Sequence, residues 1–557
     1  MLRSDSVWKK YHTAARTEYP DGSMTAFLRE TAKAHPDRIA LEYYGLRISF
    51  RRLMARIDRC AAGLQAAGIG PGDTVSVVLP NLPQALISFY AINRLGAVAN
   101  MLHPSLSGRT LWQAVQSTES RALIILDSVY AGCCSSAPEN RAEIPVFLVS
   151  ARAVLPLQRR GKIRPCPRER WIHSWHRLLQ SGAHPVGPDT GKAEAVAAIL
   201  YSGGTDGEPK AVALTNRNFN CLAVQLYDVY EPEGAVGVRA LAVMPVFHAF
   251  GLGVCVHGML CNALCVFPVP EYRPDACARL IFRRKIGFLL GVPAFFEAFS
   301  RAAELETKNG SFIKLVASAG DRMTPALRER LNRKLKEAGS DARVREAYGL
   351  TECTAGCCID PFFHPKPGSI GFPFADTLMQ IVRPDTDESL PDGEAGEICV
   401  SGPTVMAGYR NASGEGAAVL RRHGDGRLWL HTGDLGYRDA EGYYFYLQRL
   451  SRMIITAGYN VYPAALEKRL METGLLRECC VVGQTDRALG QRVCAFVVLK
   501  NPKENLENAG KILLAACRDG GAAYEVPARV SFLDRLPRTE LGKPDFHRLE
   551  EEYNIGG

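Results

Sequence analysis

Residues 195–210 read AVAAILYSGGTDGEPK, an apolar, strand-like run followed by a glycine-rich loop. The apolar half predicts a buried strand, and the loop carries two hydroxyl side chains, Ser202 and Thr205, and the ammonium group of Lys210. Glycines let neighbouring backbone N–H groups converge on one anion, and a mobile cation suits phosphate oxygens. Because Pro209 precedes the lysine and no Ser or Thr follows it, this is not a Walker A loop. The stretch predicts an anion-binding loop at a strand end, with a plain surface turn as the alternative.

Apolar runs alternate with helix-like segments along the first part of the chain. The strand-like runs are Thr74–Leu79, Ala122–Leu126, Val146–Val149, Ala195–Leu200, Ala240–Met244, Leu264–Val269, Phe288–Val292 and Leu315–Ala317. Helical periodicity marks Met24–Ala34 and Phe50–Ala67. This rhythm predicts an α/β fold with a large N-terminal body of two doubly wound layers, up to about residue 350.

The sequence pattern of strands, helices and turns changes twice further along the chain. From about 365 to 447, Gly, Asp and Pro turns separate short strands and predict a small β-barrel or β-rich subdomain. Residues 449–557 alternate strands with two helical segments and predict a small, mobile α+β domain. We therefore expect an N-terminal domain of residues 1–448 and a C-terminal domain of residues 449–557. The short polar junction Gln448–Ser451 between them suits a hinge.

Composition excludes several classes of protein. With 47% apolar and 22% charged residues, the chain is typical of globular proteins. A net charge of +9 over 557 residues is small, and no basic run is long enough for a polyanion, so we expect no nucleic-acid partner. The 17 cysteines include doublets such as Cys357-Cys358 that lack zinc-site spacing, and no apolar signal segment begins the chain. These features favour reduced cysteines in a cytoplasmic protein.

One segment resembles a membrane span. Residues 241–270 contain no Asp, Glu, Lys or Arg, which is long enough to cross a bilayer. Proline, histidine, asparagine and three glycines interrupt it, including Pro245, His248 and His257. The segment therefore predicts a buried strand–helix–strand passage and no transmembrane segment.

Further motifs carry groups suited to a nucleotide. Residues 347–352 (AYGLTE) offer an aromatic face, a hydroxyl and a carboxylate that would hold Mg²⁺ on a triphosphate. Residues 431–434 (HTGD) place a carboxylate after a glycine turn, which suits ribose hydroxyls. Arg449 stands at the domain junction, and residues 536–543 (LPRTELGK) place a lysine after a flexible turn.

Together with the loop, this ordered set resembles the adenylate-forming superfamily, which includes acyl-CoA synthetases, peptide-synthetase adenylation domains and luciferases. The resemblance extends from about Thr25 to Lys543. It implies that a carboxylic acid and ATP form acyl-AMP and pyrophosphate, and that a thiol then displaces AMP. ATP, Mg²⁺ and CoA are the implied cofactors, and a small-molecule acid is the implied substrate. The carboxylate needs no general base, because it is ionised at neutral pH.

The resemblance also implies roles for residues of this chain. The nucleotide-binding positions are Ser202, Gly203, Gly204, Thr205, Gly207, Lys210, Gly320, Tyr348, Asp434 and Arg449. The catalytic positions are Lys543, Glu352 and Thr351. Tyr348 would stack on adenine, Asp434 would bind the ribose, and Glu352 would be the Mg²⁺ ligand. Lys543 would reach the α-phosphate and the attacking carboxylate oxygen, where a cation stabilises developing charge by roughly 3 kcal/mol.

The C-terminal segment 451–463 resembles the part of the family that rotates into the site after adenylation. In that comparison Ser451 is the hinge, and Gly458 lets the backbone approach the pantetheine arm of CoA. A glycine bend in an exposed hairpin is the alternative for Gly458. Lys543 would leave the site when this domain turns.

Five positions would line the acyl pocket: Phe247, His248, Val292, Ala319 and Gly349. Amino-acid-activating members carry an aspartate where this chain has His248, which argues against an amino-acid substrate; a core histidine is the alternative. Acetate-activating members carry tryptophan where this chain has Gly349, so the glycine would leave room for a longer acid. We expect a medium- or long-chain fatty acid, with an aryl acid as the competitor.

Several residues depart from the family pattern. Asp206 stands where threonine is usual, and we hypothesise that its charge impairs ATP binding without abolishing it. Ser451 and Gln448 also replace typical residues at the junction. Two rival functions stay open, an acyl-AMP ligase that loads a carrier protein and a non-catalytic regulator that binds nucleotide or acyl ligand. Supply of the acid from a membrane surface stays open too.

Overall fold

The computed structural model describes residues 18–133, 144–150, 167, 169–182, 186–187, 189, 191–202, 210–230, 235–361, 364–410, 419–456, 459–486, 489–520, 523–538 and 544–552. The fold is mixed α/β, with large N-terminal sheets and a smaller C-terminal domain. Two compact units comprise Met1–Gln380 with Cys399–Thr432 and Asp439–Phe445, and Ile381–Ile398 with Gly433–Arg438 and Tyr446–Gly557.

The strands have the following bounds. They are β1 Ile39–Tyr43, β2 Leu46–Ser49, β3 Thr74–Val78, β4 Val98–Met101, β5 Ser120–Leu126, β6 Val146–Val149, β7 Ile172–Ser174, β8 Val196–Ser202, β9 Lys210–Thr215, β10 Arg239–Ala242, β11 Cys265–Pro268, β12 Ile286–Gly291, β13 Leu315–Ser318, β14 Val344–Tyr348, β15 Cys358–Ile359, β16 Phe372–Pro373, β17 Leu378–Val382, β18 Gly396–Ser401, β19 Gly408–Tyr409, β20 Leu420–Arg422, β21 Leu428–Arg438, β22 Tyr444–Arg449, β23 Ile454–Thr456, β24 Tyr459–Val461, β25 Leu476–Asp486, β26 Gly490–Leu499 and β27 Arg529–Phe532.

The helices have more residues on average than the strands, and all but the first and the last lie between strands in the sequence. The α-helices are Met24–Ala34, Phe50–Ala66, Pro83–Arg94, Gly108–Ser117, Asp127–Cys133, Trp175–Ser181, Asn216–Tyr230, Met259–Cys261, Pro274–Arg284, Pro293–Phe299, Glu304–Thr307, Pro325–Glu337, Pro463–Glu472, Leu506–Gly520 and Phe546–Glu552. Several begin at a serine whose hydroxyl accepts a hydrogen bond from the backbone N–H three residues on, namely Ser23, Ser49, Ser107 and Ser174. Such caps satisfy N–H groups that the first helical turn leaves unpaired.

The larger unit contains a nine-stranded sheet in the order β16-β15-β14-β13-β12-β10-β11-β1-β2. Strands β10 to β14 run parallel, and the antiparallel pairs lie towards its two ends. Leu241, Leu289 and Val316 of neighbouring strands are buried in one apolar core with Phe296 and Leu331 from the covering helices. Strands buried on both faces read as near-continuous apolar runs, which is why the sequence predicted them.

A second sheet of the larger unit has eight strands in the order β19-β9-β8-β4-β3-β5-β6-β7. Strands β3 to β8 pair in parallel, whereas β9 returns antiparallel beside β8. The two sheets confirm the prediction of two α/β layers. The predicted run Val146–Val149 is strand β6 to the residue, and Ala195–Leu200 falls within β8 apart from its first residue.

Strands separated by turns lie within residues 378–449 of the sequence. A five-stranded sheet has the order β17-β18-β21-β20, with β22 paired to β21. Short strands with intervening turns are what the sequence predicted here. The boundaries 1–448, 449–557 and 365–447 stay predictions.

The smaller unit contains a C-terminal sheet in the order β24-β23-β26-β25, with β27 parallel to β26. Its core joins Leu466 and Leu470 of the helix Pro463–Glu472 to Val481 of β25 and Leu513 of the helix Leu506–Gly520. The alternation of strands with two helical segments, here Pro463–Glu472 and Leu506–Gly520, agrees with the sequence prediction, and the helix Phe546–Glu552 is additional.

The apolar segment 241–270 forms part of β10, a π-helical stretch Phe250–Gly258, the short helix Met259–Cys261 and β11. This confirms the predicted strand–helix–strand passage. His257 is fully buried, and its ring nitrogens lie 3.0 Å from the Tyr90 hydroxyl and 3.1 Å from Oδ1 of Asn220. Among the described residues, no helix is both long enough and apolar enough to cross a membrane. Every described cysteine is free, and all but Cys479 are buried.

Candidate active site

The parallel strands β10, β12, β13 and β14 of the nine-stranded sheet end at one edge. Gly291 pairs with Ser318, and Ser318 pairs with Glu346, so these strand ends lie side by side. In sheets of this kind, ligands bind outside the carboxyl ends of the strands. The structure brings the following predicted positions to this edge, within β14 or shortly after the strands: Phe247, His248, Val292, Ala319, Gly320, Tyr348 and Gly349.

The segments after β12 and β13 touch each other. The backbone N–H of Ala319 donates a hydrogen bond of 3.0 Å to the carbonyl oxygen of Gly291. Gly320 has φ of +79°, and a Cβ at this position would lie 3.4 Å from Cγ1 of Val292. The left-handed conformation favours glycine at this position.

Asn81 fixes the segment that follows β10. Its side-chain NH₂ donates to the carbonyl oxygens of Ala242 and Met244, each at 2.9 Å, and its Oδ1 accepts from Val246 N–H at 2.9 Å. The side chain is 3% exposed. Asn81 therefore holds the backbone that leads to Phe247 and His248. Sequence analysis missed it, because no local signal links an asparagine after β3 to a segment so far along the chain.

His248 lies among aromatic rings. Its ring centre is 4.9 Å from that of Phe247 and 6.5 Å from that of His103, and His103 lies 4.4 Å from Phe247. Burial, reinforced by the nearby His103, lowers the pKa of His248 to about 4. The imidazole is therefore neutral at physiological pH, and it offers no charge to pair with a substrate.

Gly349 is required by a close backbone approach. A Cβ at this position would lie 1.9 Å from the carbonyl oxygen of Ala355. The turn that brings Ala355 there contains two non-glycine residues with positive φ, Thr354 at +57° and Ala355 at +83°. The glycine thus has a structural reason of its own, and its role in making room for the acid stays a prediction.

Thr351 and Glu352 lie in a short 3₁₀ helix, Thr351–Cys353, directly after β14. Glu352 is 8% exposed, and Tyr409 donates a hydrogen bond of 2.9 Å from its hydroxyl to Oε1 of Glu352. The carbonyl oxygen of Glu352 accepts from Met406 N–H at 2.9 Å. Both the carboxylate and its backbone are therefore fixed by the segment around β19. Oxygen donors of this kind suit Mg²⁺.

Lys210 lies at the start of β9, where it pairs with Ser202 at the end of β8. Its ammonium nitrogen is 5.4 Å from the centre of the Tyr409 ring, and Tyr409 pairs with Val212 across the β19–β9 ladder. The Tyr409 side chain thus contacts Lys210 of the motif 202–210 and Glu352 of the motif 347–352. The predicted loop residues Gly203, Gly204, Thr205 and Gly207, together with Asp206, lie outside the described residues.

In the smaller unit, Asp434 and Arg449 form an ion pair. Nε of Arg449 lies 3.1 Å from Oδ1 of Asp434, which is 3% exposed. Gly433 has φ of +68°, and its N–H donates a hydrogen bond of 2.9 Å to Oε1 of Glu397. The structure therefore places Asp434, the predicted ribose ligand, beside Arg449, another predicted nucleotide-binding residue. Glu397, which fixes the turn, was missed by sequence analysis.

The junction residues have defined partners in the smaller unit. Oε1 of Gln448 accepts a hydrogen bond of 3.1 Å from Ala464 N–H, in the first turn of the helix Pro463–Glu472. Arg452 lies 2.5 Å from Oε1 of Glu467. Ser451 is exposed between them, and its role as a hinge stays a prediction. Gly458 and Lys543 lie outside the described residues.

Comparison with known proteins decides the family. The sequence model of the AMP-binding enzyme matches residues 28–410, and that of the AMP-binding enzyme C-terminal domain matches residues 465–543. The chain belongs to the AMP-binding enzyme family. This confirms the resemblance that the motifs carried.

The similarity to individual relatives extends over nearly the whole length of this chain and of each relative. The chain is 30% identical to the long-chain-fatty-acid–CoA ligase of Bacillus subtilis, over 96% of this chain and 95% of that protein. It is 31% identical to the feruloyl-CoA synthase of an Amycolatopsis species, over 92% and 95%. The crystal structure of ATP-bound MatB from Rhodopseudomonas palustris superposes with a TM-score of 0.82 at 25% identity, covering 96% of this chain and 99% of MatB.

The protein is therefore an AMP-forming acyl-CoA synthetase, an acid–thiol ligase that uses ATP, Mg²⁺ and CoA. Its partners are small molecules: the acid, ATP and CoA. The roles of individual site residues are proposals, as is the identity of the acid.

Proposed function

We propose that this ligase activates a medium- or long-chain fatty acid as acyl-AMP and transfers the acyl group to CoA. The observation that carries the choice of acid is the environment of His248. At the position where an amino-acid-activating enzyme needs an anion, this chain has an imidazole that burial keeps neutral, with a pKa of about 4. A neutral, ring-lined site favours an uncharged acyl group, because burying an unpaired ammonium group is costly.

The neighbouring candidate wall is apolar as well. Phe247 is 7% exposed, and Val292 packs against the core of the nine-stranded sheet together with Phe295. A wall of this kind gains free energy from each buried methylene, about 0.8 kcal/mol. The similarity to a long-chain-fatty-acid–CoA ligase of Bacillus subtilis supports the same choice.

An aryl acid is the second candidate, and one observation favours it. The rings of His103, Phe247 and His248 lie within 4.4–6.5 Å of one another, an arrangement in which an aromatic acyl group would find ring neighbours. A relative named as a feruloyl-CoA synthase, at 31% identity, agrees with this candidate.

For the first half-reaction, we assign the residues as follows. Ser202, Lys210 and the loop between them bind the triphosphate, Glu352 binds Mg²⁺ with Thr351 beside it, and Tyr348 with Gly320 contacts the adenine. Asp434, held by Arg449, binds the ribose. Lys543 stabilises the charge that develops as the carboxylate attacks the α-phosphate. The Asp434–Arg449 and Glu352–Tyr409 contacts support these assignments, because each fixes an otherwise mobile carboxylate.

Pyrophosphate exchange across a panel of acids tests the proposal. The panel contains fatty acids of increasing chain length, cinnamic- and benzoic-type acids, and amino acids. We expect exchange with the longer fatty acids, at least tenfold lower exchange with amino acids, and a loss of roughly a hundredfold or more in Lys543→Ala. Lys503→Ala, which removes an exposed lysine of the same unit, is the matched control. Faster exchange with aryl acids would replace the fatty acid by the second candidate.

The acceptor and the location are further proposals. CoA is the expected acceptor, with Gly458 at the pantetheine arm and Ser451 at the hinge. Incubation of the acyl-AMP with CoA, and separately with an acyl carrier protein, distinguishes the two acceptors, and transfer to the carrier alone would contradict the CoA assignment. We also propose a cytoplasmic location with the acid drawn from a membrane surface, in line with the free, mostly buried cysteines. Cell fractionation and a vesicle-flotation assay test these two points.

A further inference from the structure

Three side chains with metal-binding atoms meet inside the larger unit. Cys399, His423 and His431 are all buried, and one ligand atom from each lies within 4.8 Å of the other two. The Nε2 atoms of the two imidazoles are 3.0 Å apart. Among the described residues, this is the group of three or more histidine, cysteine or acidic side chains that is close enough to hold one cation.

The sheet builds this cluster from three neighbouring strands. Cys399 lies on β18 and His431 on the adjacent β21, while His423 directly follows β20, which pairs with β21 on its other side. The turn is fixed by hydrogen bonds from His423 N–H to Arg427 O, 3.2 Å, and from Gly426 N–H to His423 O, 2.9 Å. Two of the three residues, Cys399 and His431, therefore lie on paired strands, and His423 lies in a turn that backbone hydrogen bonds fix.

Trp429 orients one of the imidazoles. Trp429 and His431 are two residues apart on β21 and so lie on the same face of the sheet. The indole stacks on the His423 ring with centres 5.3 Å apart and an interplanar angle of 18°. Its Nε1 donates to Asp425 at 3.2 Å, which anchors the indole in turn. Metal ligands in proteins commonly have such an orienting outer layer.

The donor set selects the class of cation. One thiolate and two imidazoles suit borderline-to-soft d-block ions, whereas Mg²⁺ and Ca²⁺ prefer oxygen atoms. Zinc binds nitrogen at about 2.0–2.1 Å and thiolate sulfur at about 2.3 Å, so tetrahedral ligand atoms lie roughly 3.3–3.8 Å apart. Atoms already within 4.8 Å of one another reach such distances with small side-chain movements.

We propose that Cys399, His423 and His431 form a zinc-binding site separate from the Mg²⁺ ligand assigned to Glu352. The cation joins three strands of one sheet and replaces the Nε2–Nε2 hydrogen bond, so that both nitrogens become ligands. Binding releases the thiol proton of Cys399, and the imidazole that donates from Nε2 in the hydrogen-bonded pair carries its proton on Nδ1 once Nε2 becomes a ligand. Without the metal, the two imidazoles keep their Nε2–Nε2 hydrogen bond beside the free thiol of Cys399.

Metal analysis of the full-length protein tests the site. The protein is stripped with a chelator, loaded with zinc, passed through gel filtration and analysed for bound metal. We expect one zinc per chain, a rise in the melting temperature on loading, and a more than hundredfold loss of zinc affinity in Cys399→Ala and His423→Gln, since even outer-layer changes cost about 10–100-fold. Cys358→Ala and His257→Gln, which alter a buried cysteine and a buried histidine elsewhere, should bind zinc normally.

Cobalt(II) gives a readout that needs no variant. Loaded into the unmodified protein, it should show a thiolate-to-cobalt charge-transfer band in the near ultraviolet and intense visible bands of a low-coordinate site. Protein that retains no zinc and shows no charge-transfer band would overturn the proposal even if the variants fail to fold. Zinc retention that is equal in the wild type, Cys399→Ala and His423→Gln would also overturn it, and retention of copper without zinc contradicts the choice of cation.

Discussion

Tyr409 donates a hydrogen bond of 2.9 Å to Oε1 of Glu352, and the ammonium group of Lys210 lies 5.4 Å from the centre of the same tyrosine ring. The start of β9 in the eight-stranded sheet and the turn after β14 in the nine-stranded sheet are thereby connected through one side chain. Tyr409 was absent from the sequence-based site, although it touches two of its members. Its hydroxyl is therefore a sensitive place to test the assigned role of Glu352.

Tyr409→Phe should weaken the binding of Mg²⁺ to the active enzyme. Hydrogen bonds to charged groups contribute about 1.5–3 kcal/mol, which corresponds to roughly ten- to hundredfold in rate or affinity. We expect the Mg²⁺ concentration for half-maximal pyrophosphate exchange to rise, with little change in the Michaelis constant for the acid. Tyr443→Phe, which removes a hydroxyl bound to the carbonyl oxygen of His364, is the control. An unchanged Mg²⁺ dependence would show that the contact does not position the carboxylate.

Gly349→Ala should damage both stability and adenylation. The new methyl group would lie 1.9 Å from the carbonyl oxygen of Ala355, so the turn must move, and overpacking of this kind typically costs about 1–3 kcal/mol. Thermal unfolding and pyrophosphate exchange measure the two effects. Gly70→Ala is the control, because the nearest atom to its Cβ is 4.0 Å away. Equal melting temperatures for the two variants would contradict the predicted clash.

Asn81→Ala should change the Michaelis constant for the acid more than the Michaelis constant for ATP. The substitution leaves the carbonyl oxygens of Ala242 and Met244 and the N–H of Val246 without this partner, at a cost of about 1–3 kcal/mol for each group that stays buried and unpaired. We expect a higher Michaelis constant for the acid and an altered order of chain-length preference. Asn262→Ala removes a comparable backbone clamp elsewhere in the same unit and should leave that order unchanged.

Acid should destabilise the protein through His257. Burial lowers the pKa of His257 from 6.5 to about 3. Between these two pH values the unfolded chain binds a proton at His257 that the folded chain does not bind. The free energy of unfolding therefore falls as the pH drops from about 6.5 towards 3, by up to about 1.4 kcal/mol per pH unit from this group. Urea titrations over this range should give a shallower pH dependence for His257→Gln. The exposed His176→Gln should retain the wild-type slope.

Asp206→Thr should strengthen ATP binding. A carboxylate about 4 Å from a phosphate charge costs roughly 1 kcal/mol in water and about 4 kcal/mol at intermediate dielectric. The Michaelis constant for ATP should fall by at least fivefold, whereas Asp341→Thr, an exposed acid, should not alter it. If both variants retain the wild-type value, the carboxylate does not repel the nucleotide.

Periodicity and motif order predicted most of the fold and the family, whereas the roles of the site residues stay predictions. Buried parallel strands give continuous apolar runs, so β6 was placed at Val146–Val149 without error. The family resemblance assigned both Asp434 and Arg449 to nucleotide binding, and the structure brings the two side chains to 3.1 Å.

Contacts across large sequence separations were not predictable. Asn81 contacts backbone 161 to 165 residues away, and nothing near Asn81 in the sequence indicates which segment it meets. The family resemblance assigns Gly349 to the acyl pocket, but its close approach to Ala355 depends on the positive φ angles of the following turn, which the sequence does not reveal. The Cys399 cluster depends on which strands become neighbours, which spacing along the chain does not encode.

Gln448 has a consequence for protein engineering. Its side chain caps the helix Pro463–Glu472 through Ala464 N–H, and its neighbour Arg449 pairs with Asp434. A chimera joined between residues 448 and 449 would therefore take the cap from one parent and the helix from the other, and would split the ion pair in the same way. Recombination with a relative is better made before β21, so that Asp434, Arg449, Gln448 and the helix that Gln448 caps all come from one parent.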